Sequence, residues 1–256
     1  MAALEIEQFI CRSDNYGVIA YDPESGEAVI IDAPEEKPIV EALERRGWTP
    51  KALLITHHHA DHVEGNLALK ERYKLTIIGP EKEKDRIPGI DETVAEGDII
   101  PFSSDEIHVI ETPGHTAGHI SLFLPKSGVA FTADTLFALG CGRLLECGPD
   151  VMFESLEKLK KLPPETVVYV GHEYTQSNAR FALTIDPDNA ELRARAEKID
   201  RQRANGEMTL PTTIGEELAT NPFIRADDAA IRTVLGMEGA SDAEVFAEIR
   251  KRKDNF

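Results

Sequence analysis

The stretch Thr56-His57-His58-His59-Ala60-Asp61-His62 holds four of the eight histidines in the chain, with one carboxylate among them. It directly follows Ala52-Leu53-Leu54-Ile55, a short apolar run that is typical of a buried strand. Imidazole and carboxylate side chains are ligands for zinc, iron and manganese. Because folding alone gives no reason to crowd four imidazoles beside a buried strand, this stretch predicts a metal site at a strand end.

Three further apolar runs lead into side chains of the same kind. Residues 107–110 precede His115, residues 129–132 precede Asp134, and residues 167–170 precede His172. A lone histidine in a loop is usually a surface residue, but these three share a position after a strand. If the strands share a sheet direction, their polar ends meet at one edge, where a rigid sheet can position a site.

The remaining histidines have other expected roles. His58 lies between two presumed ligands and should point away from them, and His108 lies within a strand pattern and is predicted to be structural. His119 follows His115 by four residues, and we expect it to support the ligands rather than to bind metal.

The rest of the chain reads as short strands and helices in alternation, followed by helices alone. Strands are predicted at residues 18–21, 28–31, 75–78 and 121–124, and helices at 34–47, 152–162, 190–205, 227–235 and 241–253. Ser241 and Glu244 have the spacing of a capping box. The change of character predicts an α/β catalytic domain over residues 1–173 and a small helical domain over 174–256.

Composition excludes several classes of partner. The 256 residues include 28 Lys and Arg against 46 Asp and Glu, a net charge of −18, which argues against nucleic acid or an anionic membrane surface. The longest run without charged residues, residues 112–125, is too short to span a bilayer, and no secretory signal is visible. Three cysteines without metal-type pairing indicate reduced thiols, so we expect a cytoplasmic protein.

The motifs together resemble a known family. The His57 to His62 cluster resembles the signature of the metallo-β-lactamase superfamily, and the remaining motifs are similar to glyoxalase II, the hydroxyacylglutathione hydrolase family. Those motifs are Thr112-Pro113-Gly114-His115-Thr116-x-Gly118-His119, Asp134-Thr135-Leu136-Phe137, Gly140-Cys141-Gly142-Arg143, Gly171-His172-Glu173-Tyr174-Thr175, Asn221-Pro222-Phe223-Ile224-Arg225 and Arg250-x-x-Lys253-Asp254-Asn255-Phe256.

The resemblance implies a four-layer αββα sandwich, followed by a helical domain that binds substrate, and two divalent metal ions. Zinc is preferred, and iron or manganese would also suit the ligands. The first metal is assigned to His57, His59 and His115, the second to Asp61, His62 and His172, with Asp134 bridging. The positions around glutathione match Arg143, Tyr174, Asn178, Arg250 and Lys253.

The implied reaction is hydrolysis of S-D-lactoylglutathione, and of related S-2-hydroxyacylglutathiones, to glutathione and a 2-hydroxy acid such as D-lactate. This is the second step of methylglyoxal detoxification. A hydroxide shared by two metals would attack the thioester carbonyl, with Asp61 and Asp134 as the catalytic carboxylates. The leaving thiol has a pKa of about 8.5, so it can depart without a dedicated acid. We expect a monomer whose partner is the small thioester.

Other activities remain open at this stage. A persulfide dioxygenase would use one iron held by two histidines and a carboxylate. A lactonase or β-lactamase shares the superfamily signature, although the missing export signal weighs against a periplasmic β-lactamase. A metal-stabilised binding module is disfavoured, because structural zinc sites are closed by four protein ligands and seven are available here.

Three residues depart from the family pattern. Ala133 stands where glycine usually precedes the bridging aspartate, and we expect its methyl group to be tolerated if φ stays negative. Arg143 replaces a frequent lysine, and Leu145 replaces an aromatic residue. These two changes affect the expected contacts with glutathione but not the metal ligands.

Overall fold

The computed structural model of the protein describes residues 4–103 and 105–256. These form two compact units. The first contains the chain up to Glu111 together with Ala117–Thr132, and the second contains Thr112–Thr116 together with Ala133–Phe256. Such units follow contacts in space, which a chain can cross more than once, so the division of the sequence at 173/174 stays a prediction.

The first unit is built on a six-stranded sheet whose order follows the chain. The first two pairings are antiparallel and the remaining three are parallel. Helices lie against this sheet, and their apolar side chains form one core with it. The strands are β1 (Glu5–Cys11), β2 (Asn15–Asp22), β3 (Glu27–Ile31), β4 (Pro50–Leu54), β5 (Thr76–Pro80) and β6 (Glu92–Val94), and the helices are α1 (Glu36–Arg46), α2 (Ala60–Val63) and α3 (Asn66–Tyr73), with a 3₁₀ helix at Glu81–Arg86.

A second sheet of the first unit is an antiparallel meander of four strands. Its last strand reads Val-Ala-Phe-Thr-Ala and is buried along its whole length, as its lack of charged residues predicts. The strands are β7 (Ile99–Phe102), β8 (Asp105–Glu111), β9 (Ile120–Leu124) and β10 (Val129–Ala133).

The second unit consists mainly of helices. Two short strand pairs accompany them: β11 (Leu136–Phe137) pairs with β12 (Gly140–Cys141), and β13 (Val167–Val170) pairs with β14 (Thr212–Thr213). The helices are α4 (Pro149–Leu159), α5 (Thr175–Ile185), α6 (Ala190–Ala204), α7 (Ile214–Thr220), α8 (Ala229–Leu235) and α9 (Asp242–Asp254). The capping box at Ser241 and Glu244 is present and begins α9, as predicted.

The predicted strands and helices overlap observed ones throughout, but one expectation was wrong and two conditions set by the sequence analysis are not met. The strands that precede the candidate ligands do not belong to one sheet, because β4 lies in the first sheet whereas β8 and β10 lie in the second. Strand structure does not end at residue 173, since β14 follows, although its two residues are too few to give a sequence pattern. Ala133 has φ +39°, not a negative φ.

No helix in the described part of the chain is both long enough and apolar enough to cross a membrane.

Candidate active site

The histidine-rich loop begins where β4 ends, and its first residues form hydrogen bonds with both sheets of the first unit. The Ile55 N–H donates to the Ile78 carbonyl at 2.8 Å, and the Thr56 carbonyl accepts from the Ile120 N–H at 3.0 Å. His59 then serves as the N-cap of α2, with extended backbone. The loop is therefore fixed at its base before the ligand side chains begin.

Four predicted metal ligands come together in this loop. The ring centroid of His57 lies 4.1 Å from that of His62 and 4.8 Å from that of His59. Asp61 Oδ2 lies 3.9 Å from His62 Nε2, and the Asn15 side chain donates to the same Asp61 oxygen at 3.1 Å. The short helix α2 produces this arrangement, because it places Asp61 and His62 in a single turn directly after His59.

A buried aspartate that the sequence analysis did not single out orients two of these imidazoles. Asp32 Oδ2 lies 2.8 Å from His62 Nδ1 and accepts from the Thr56 hydroxyl at 2.8 Å. Since that hydroxyl gives its proton to Asp32, its oxygen is left to accept from His57 Nδ1, 3.0 Å away. Both rings then carry their proton on Nδ1, which leaves the Nε2 lone pair for a metal.

Asp32 could have been found from the sequence. It follows β3 directly, just as the predicted ligands follow β4, β8, β10 and β13. It also adds a second carboxylate to a cluster that, by sequence, has only Asp61. The Asp32 carboxylate, His57 and His62 place their polar atoms within 4.8 Å of one another.

A second buried carboxylate holds the outer side of the loop. Glu83 Oε2 accepts from the His58 N–H at 2.7 Å and lies 2.7 Å from His58 Nδ1, while its other oxygen accepts from the Gly118 N–H at 2.9 Å. His58 thus directs its Nδ1 towards Glu83, in agreement with the expectation that it turns away from the ligands. His119 stacks on His57 with ring centroids 4.9 Å apart, a supporting position.

The second unit brings together the other three predicted ligands. Asp134 Oδ2 lies 3.3 Å from His115 Nε2 and 3.4 Å from His172 Nε2. His115 Nδ1 lies 2.9 Å from the Arg143 carbonyl, which can only accept, so this ring also keeps its Nε2 lone pair. The His172 ring stacks on Tyr174 with centroids 4.8 Å apart and planes 2° apart.

Two glycines of the quoted motifs are required by close packing at this group. Gly114 has φ +154°, and a Cβ built there would lie 2.8 Å from Met152 side-chain atoms. A Cβ on Gly142 would lie 1.9 Å from the backbone oxygen of Asp134. Any side chain at Gly142 would therefore displace the backbone that carries Asp134.

The donor atoms of the second unit fit a metal by their chemistry and spacing. Ligands at about 2.0–2.2 Å from a tetrahedral zinc lie about 3.3–3.6 Å from one another. The separations between the Asp134 oxygen and the two imidazole nitrogens fall in that range. One carboxylate oxygen between two imidazoles is also the placement that a bridging ligand needs.

A cavity of about 580 Å³ opens in the second unit beside Asp134. It is bounded by the hairpin β11–β12, the start of α5 and the end of α9. All five side chains that the family resemblance assigned to glutathione binding line it, together with two predicted metal ligands: Arg143, Tyr174, Asn178, Arg250, Lys253, His115 and Asp134. Burial raises the pKa of the Cys141 thiol in its wall to about 11, so this thiol stays neutral.

The two cations of α9 lie on one face, as their spacing predicts, but they have different surroundings. Arg250 is 4% exposed, and its guanidinium donates to the Cys141 carbonyl at 2.9 Å and to the Asp254 carboxylate at 2.8 Å. Lys253 Nζ has longer contacts of 3.3 Å with the Ser177 carbonyl and hydroxyl. Burial, aided by the charges of Arg250 and Arg143, lowers the pKa of Lys253 to about 8. Lys253 is therefore the better placed of the two to take a new anionic partner.

Comparison with known proteins identifies the family. Residues 11–172 match the model of the metallo-β-lactamase superfamily, and residues 173–256 match the model of the hydroxyacylglutathione hydrolase C-terminus. A hydroxyacylglutathione hydrolase from Mesorhizobium japonicum is 67% identical over 99% of this chain and 100% of its own length. The chain belongs to the hydroxyacylglutathione hydrolase family of the metallo-β-lactamase superfamily.

Solved structures agree on the fold. ETHE1 from Myxococcus xanthus is 26% identical, with a TM-score of 0.69 over 96% of this chain and 90% of its own. The BLEG-1 B3 metallo-β-lactamase is 23% identical, with a TM-score of 0.66 over 86% of this chain and 99% of its own. The predicted α/β metallo-β-lactamase fold with a helical C-terminal region is thereby confirmed, and so is membership of a family of metal-dependent hydrolases.

Proposed function

We propose that the protein hydrolyses S-D-lactoylglutathione and related S-2-hydroxyacylglutathiones to glutathione and the 2-hydroxy acid. One observation carries the proposal: a single cavity is lined both by metal-type ligands, His115 and Asp134, and by cations, Arg143, Arg250 and Lys253. A thioester of a tripeptide with two carboxylates needs both, since its carbonyl must be activated and its charges must be bound. The name of the 67% identical relative specifies the same substrate class.

The proposed metal ligands are those that the resemblance implies. His57, His59 and His115 would hold one ion, Asp61, His62 and His172 the other, and Asp134 both. When bound, two divalent ions supply Lewis acidity and lower the pKa of water to about 7. Zinc suits these nitrogen and oxygen donors, and iron and manganese suit them as well.

The protein's own residues have separable tasks in this reaction. Asp32 and the Arg143 carbonyl keep protons on the Nδ1 atoms of His62 and His115, so that Nε2 would be the nitrogen available to a metal ion. Asp61, whose carboxylate accepts from the Asn15 side chain at 3.1 Å, would orient the attacking water. Lys253 binds a carboxylate of the peptide. The thiol leaves as thiolate without a protein acid, because its pKa is about 8.5.

We further propose that residues 174–256 form the substrate-binding domain and that the protein acts as a cytoplasmic monomer. Three reduced cysteines support the cytoplasmic location. The cations that line the cavity on α9 support the role of the C-terminal segment.

A parallel pair of assays tests the activity. Thioester hydrolysis is followed with S-D-lactoylglutathione, and oxygen uptake is followed with glutathione persulfide. We expect turnover in the first assay and none in the second, and oxygen uptake without hydrolysis would establish the dioxygenase instead. Hydrolysis of a β-lactam or a lactone in preference to the thioester would also overturn the proposal.

Metal content separates ligands from neighbours. Asp134→Ala should lose metal and nearly all activity together, because it removes the shared oxygen. His58→Ala is the control, since its Nδ1 faces Glu83. An Asp134→Ala protein that keeps two metals per chain would refute the bridging assignment, and a metal-depleted His58→Ala protein would refute the division of the loop.

A further inference from the structure

The hairpin β11–β12, which forms one wall of the cavity, turns through a backbone conformation that its sequence does not favour. The turn consists of Ala138 and Leu139, and Leu139 has φ +58°. Two-residue turns with a positive φ normally contain glycine or asparagine. A leucine persists there only where the surroundings determine the conformation. Part of that determination is apolar, because the Leu139 side chain is fully buried in a cluster between α5 and α6.

The other part is polar, and it centres on the fully buried carboxylate of Glu217 in α7. One oxygen accepts from the Leu139 N–H at 2.8 Å. The other accepts from Arg195 and from the Thr212 hydroxyl, both at 2.6 Å. The charge is therefore paired as well as hydrogen-bonded, which a buried carboxylate requires.

Side-chain amides hold the carbonyls of the same hairpin. Asn221, at the end of α7, donates to the carbonyls of Phe137 at 3.2 Å and Gly140 at 3.0 Å, and to Glu217 itself at 2.9 Å. Asn178 donates to the Ala138 carbonyl at 3.1 Å. The Glu217 carboxylate therefore binds both the strained turn, through Leu139, and the Asn221 amide, which holds the carbonyls on either side of that turn.

The hairpin in turn positions groups that line the cavity. The Phe137 ring meets Tyr174 edge-on with centroids 5.4 Å apart, and it meets His172 at 6.1 Å. The Cys141 carbonyl accepts from Arg250 at 2.9 Å. A shift of the hairpin would therefore move an aromatic wall and a cation of the substrate cavity together.

We propose that Glu217 is a positioning residue for substrate binding: its buried carboxylate holds the Ala138-Leu139 turn and thereby fixes Phe137 and Arg250 in the cavity wall. Glu217 lines no part of the cavity. The inference rests on the proposed function only for the identity of the substrate, since the packing of the hairpin is independent of it.

Glu217→Gln tests the proposal with little change of shape. Its amide N–H₂ must face either the Leu139 N–H or the Arg195 and Thr212 donors, so at least one contact becomes donor against donor. If the loosened hairpin displaces Arg250 from the cavity wall, the substrate loses one charge-assisted hydrogen bond, which predicts a rise of about tenfold in KM for S-D-lactoylglutathione. We expect kcat and metal content to change less than twofold. Amide hydrogen exchange of a peptide covering residues 136–142 should accelerate more than exchange elsewhere.

Asp186→Asn is the matched control. Asp186 is also a buried carboxylate of the second unit, paired with Arg225 and with the Asn189 amide, but it does not line the cavity. It should lower the denaturation midpoint as Glu217→Gln does and leave KM unchanged. If Glu217→Gln fails to fold, Asn221→Ala replaces it as the test variant. It removes the amide that holds the same hairpin and should also raise KM.

The outcomes separate the two proposals. Wild-type protein inactive on glutathione thioesters refutes the proposed function, while the exchange of residues 136–142 still reports on the hairpin. In an active enzyme, unaltered KM and unaltered hairpin exchange in Glu217→Gln would overturn the positioning role. Equal KM changes in Glu217→Gln and Asp186→Asn would reduce Glu217 to a contributor to stability.

Discussion

At the scale of single residues, the candidate metal ligands are oriented by neighbours that lie outside the predicted ligand set. Asp32, Thr56 and the Arg143 carbonyl each face an Nδ1 atom, and so determine which nitrogen of His62, His57 and His115 carries the lone pair. The sequence predicted the ligands because imidazoles cluster visibly after strands. The sequence analysis missed Asp32, although its place directly after β3 was a usable signal, because one aspartate after a strand is a much weaker signal than four clustered histidines.

Asp32→Asn should therefore weaken metal binding without removing a ligand. The Asp32 carboxylate accepts from the Thr56 N–H at 2.8 Å through Oδ1 and faces His62 Nδ1 through Oδ2. An amide has one acceptor oxygen, so it must oppose a donor at one of these two contacts, which disturbs the support of the imidazole. Changes to such supporting groups cost about 10- to 100-fold in metal affinity. Titration against a competing chelator measures the effect. The control is Asp91→Asn in the same unit, whose carboxylate accepts from the Ile77 N–H at 2.9 Å. Equal affinities for both variants would contradict the role of Asp32.

Lys253 should give substrate binding an alkaline limit. Its pKa is lowered to about 8, so it is charged below that pH and neutral above it. Burial is the main cause, and Arg250 and Arg143 add repulsion. We expect KM for the glutathione thioester to rise as pH increases through about 8. In Lys253→Arg the rise should disappear, because a guanidinium stays charged. A KM independent of pH between 7 and 9.5 in wild type would contradict this assignment.

Deprotonation of Lys253, which weakens substrate binding, has the opposite effect on the stability of the folded protein. Above pH 8 the folded protein binds fewer protons at Lys253 than the unfolded chain, whose lysine titrates near 10.5. Stability from this group therefore increases between those pH values. Weaker binding at pH 9 is thus expected without unfolding at this site, which separates a binding effect from general denaturation.

At the scale of elements, the sequence predicts strands and helices well where a local signal is strong, such as the continuous apolar runs of β4 and β10 and the capping box that begins α9. It predicts poorly where an element depends on its surroundings. Helix α5 begins at Thr175 without a side-chain cap, and it has no clear apolar stripe in its first turn. The local sequence of a strand also does not show to which of two sheets it belongs. The assignment of β4 and β8 to different sheets could therefore not be predicted.

At the end of β10, the backbone conformation of one residue also could not be predicted from the local sequence. Ala133 has φ +39°, a region that disfavours side chains by about 1–2 kcal/mol. Ala133→Gly relieves that cost, offset by about 0.4–1 kcal/mol from the more flexible unfolded chain. We expect the free energy of unfolding to stay equal or to rise by about 1 kcal/mol. Ala130→Gly in the same strand should instead destabilise, as glycine does in strand interiors by about 0.5–1 kcal/mol. Denaturant midpoints measure both, and a clear loss of stability in Ala133→Gly would refute the strain.

At the scale of the whole molecule, a strongly acidic chain must bind an anionic substrate. The net charge of −18 repels carboxylates at long range, so the cavity needs its own local cations. The run Arg250-Lys251-Arg252-Lys253 supplies them, but the helix places these four side chains on different faces. Arg250 and Lys253 line the cavity, whereas Lys251 and Arg252 are exposed. In a merely solvated helix end, all four side chains would be exposed to solvent. The burial of Arg250 argues against that interpretation.

This division permits a test in which the overall charge is held constant. Arg250→Ala with Lys253→Ala and Lys251→Ala with Arg252→Ala each remove two positive charges from α9, so any effect of the global field is the same. The first pair should raise KM for the glutathione thioester at least about tenfold, because each charge-assisted bond is worth about 1.5–3 kcal/mol and 1.4 kcal/mol is a factor of ten. Its kcat and metal content should be nearly unchanged, since contact with the peptide is equal in ground and transition states.

The second pair should leave KM within about twofold of wild type, because an exposed charge is screened. A short thioester without the peptide should be hydrolysed equally well by all three proteins, which places the loss on glutathione rather than on the carbonyl. Wild-type KM should also increase with salt, and the Arg250→Ala, Lys253→Ala pair should show a weaker salt dependence, because its attractive charges are gone. Equal KM values for the two double variants would mean that the cavity face of α9 does not bind the peptide, and that the acidic chain attracts its substrate by other residues.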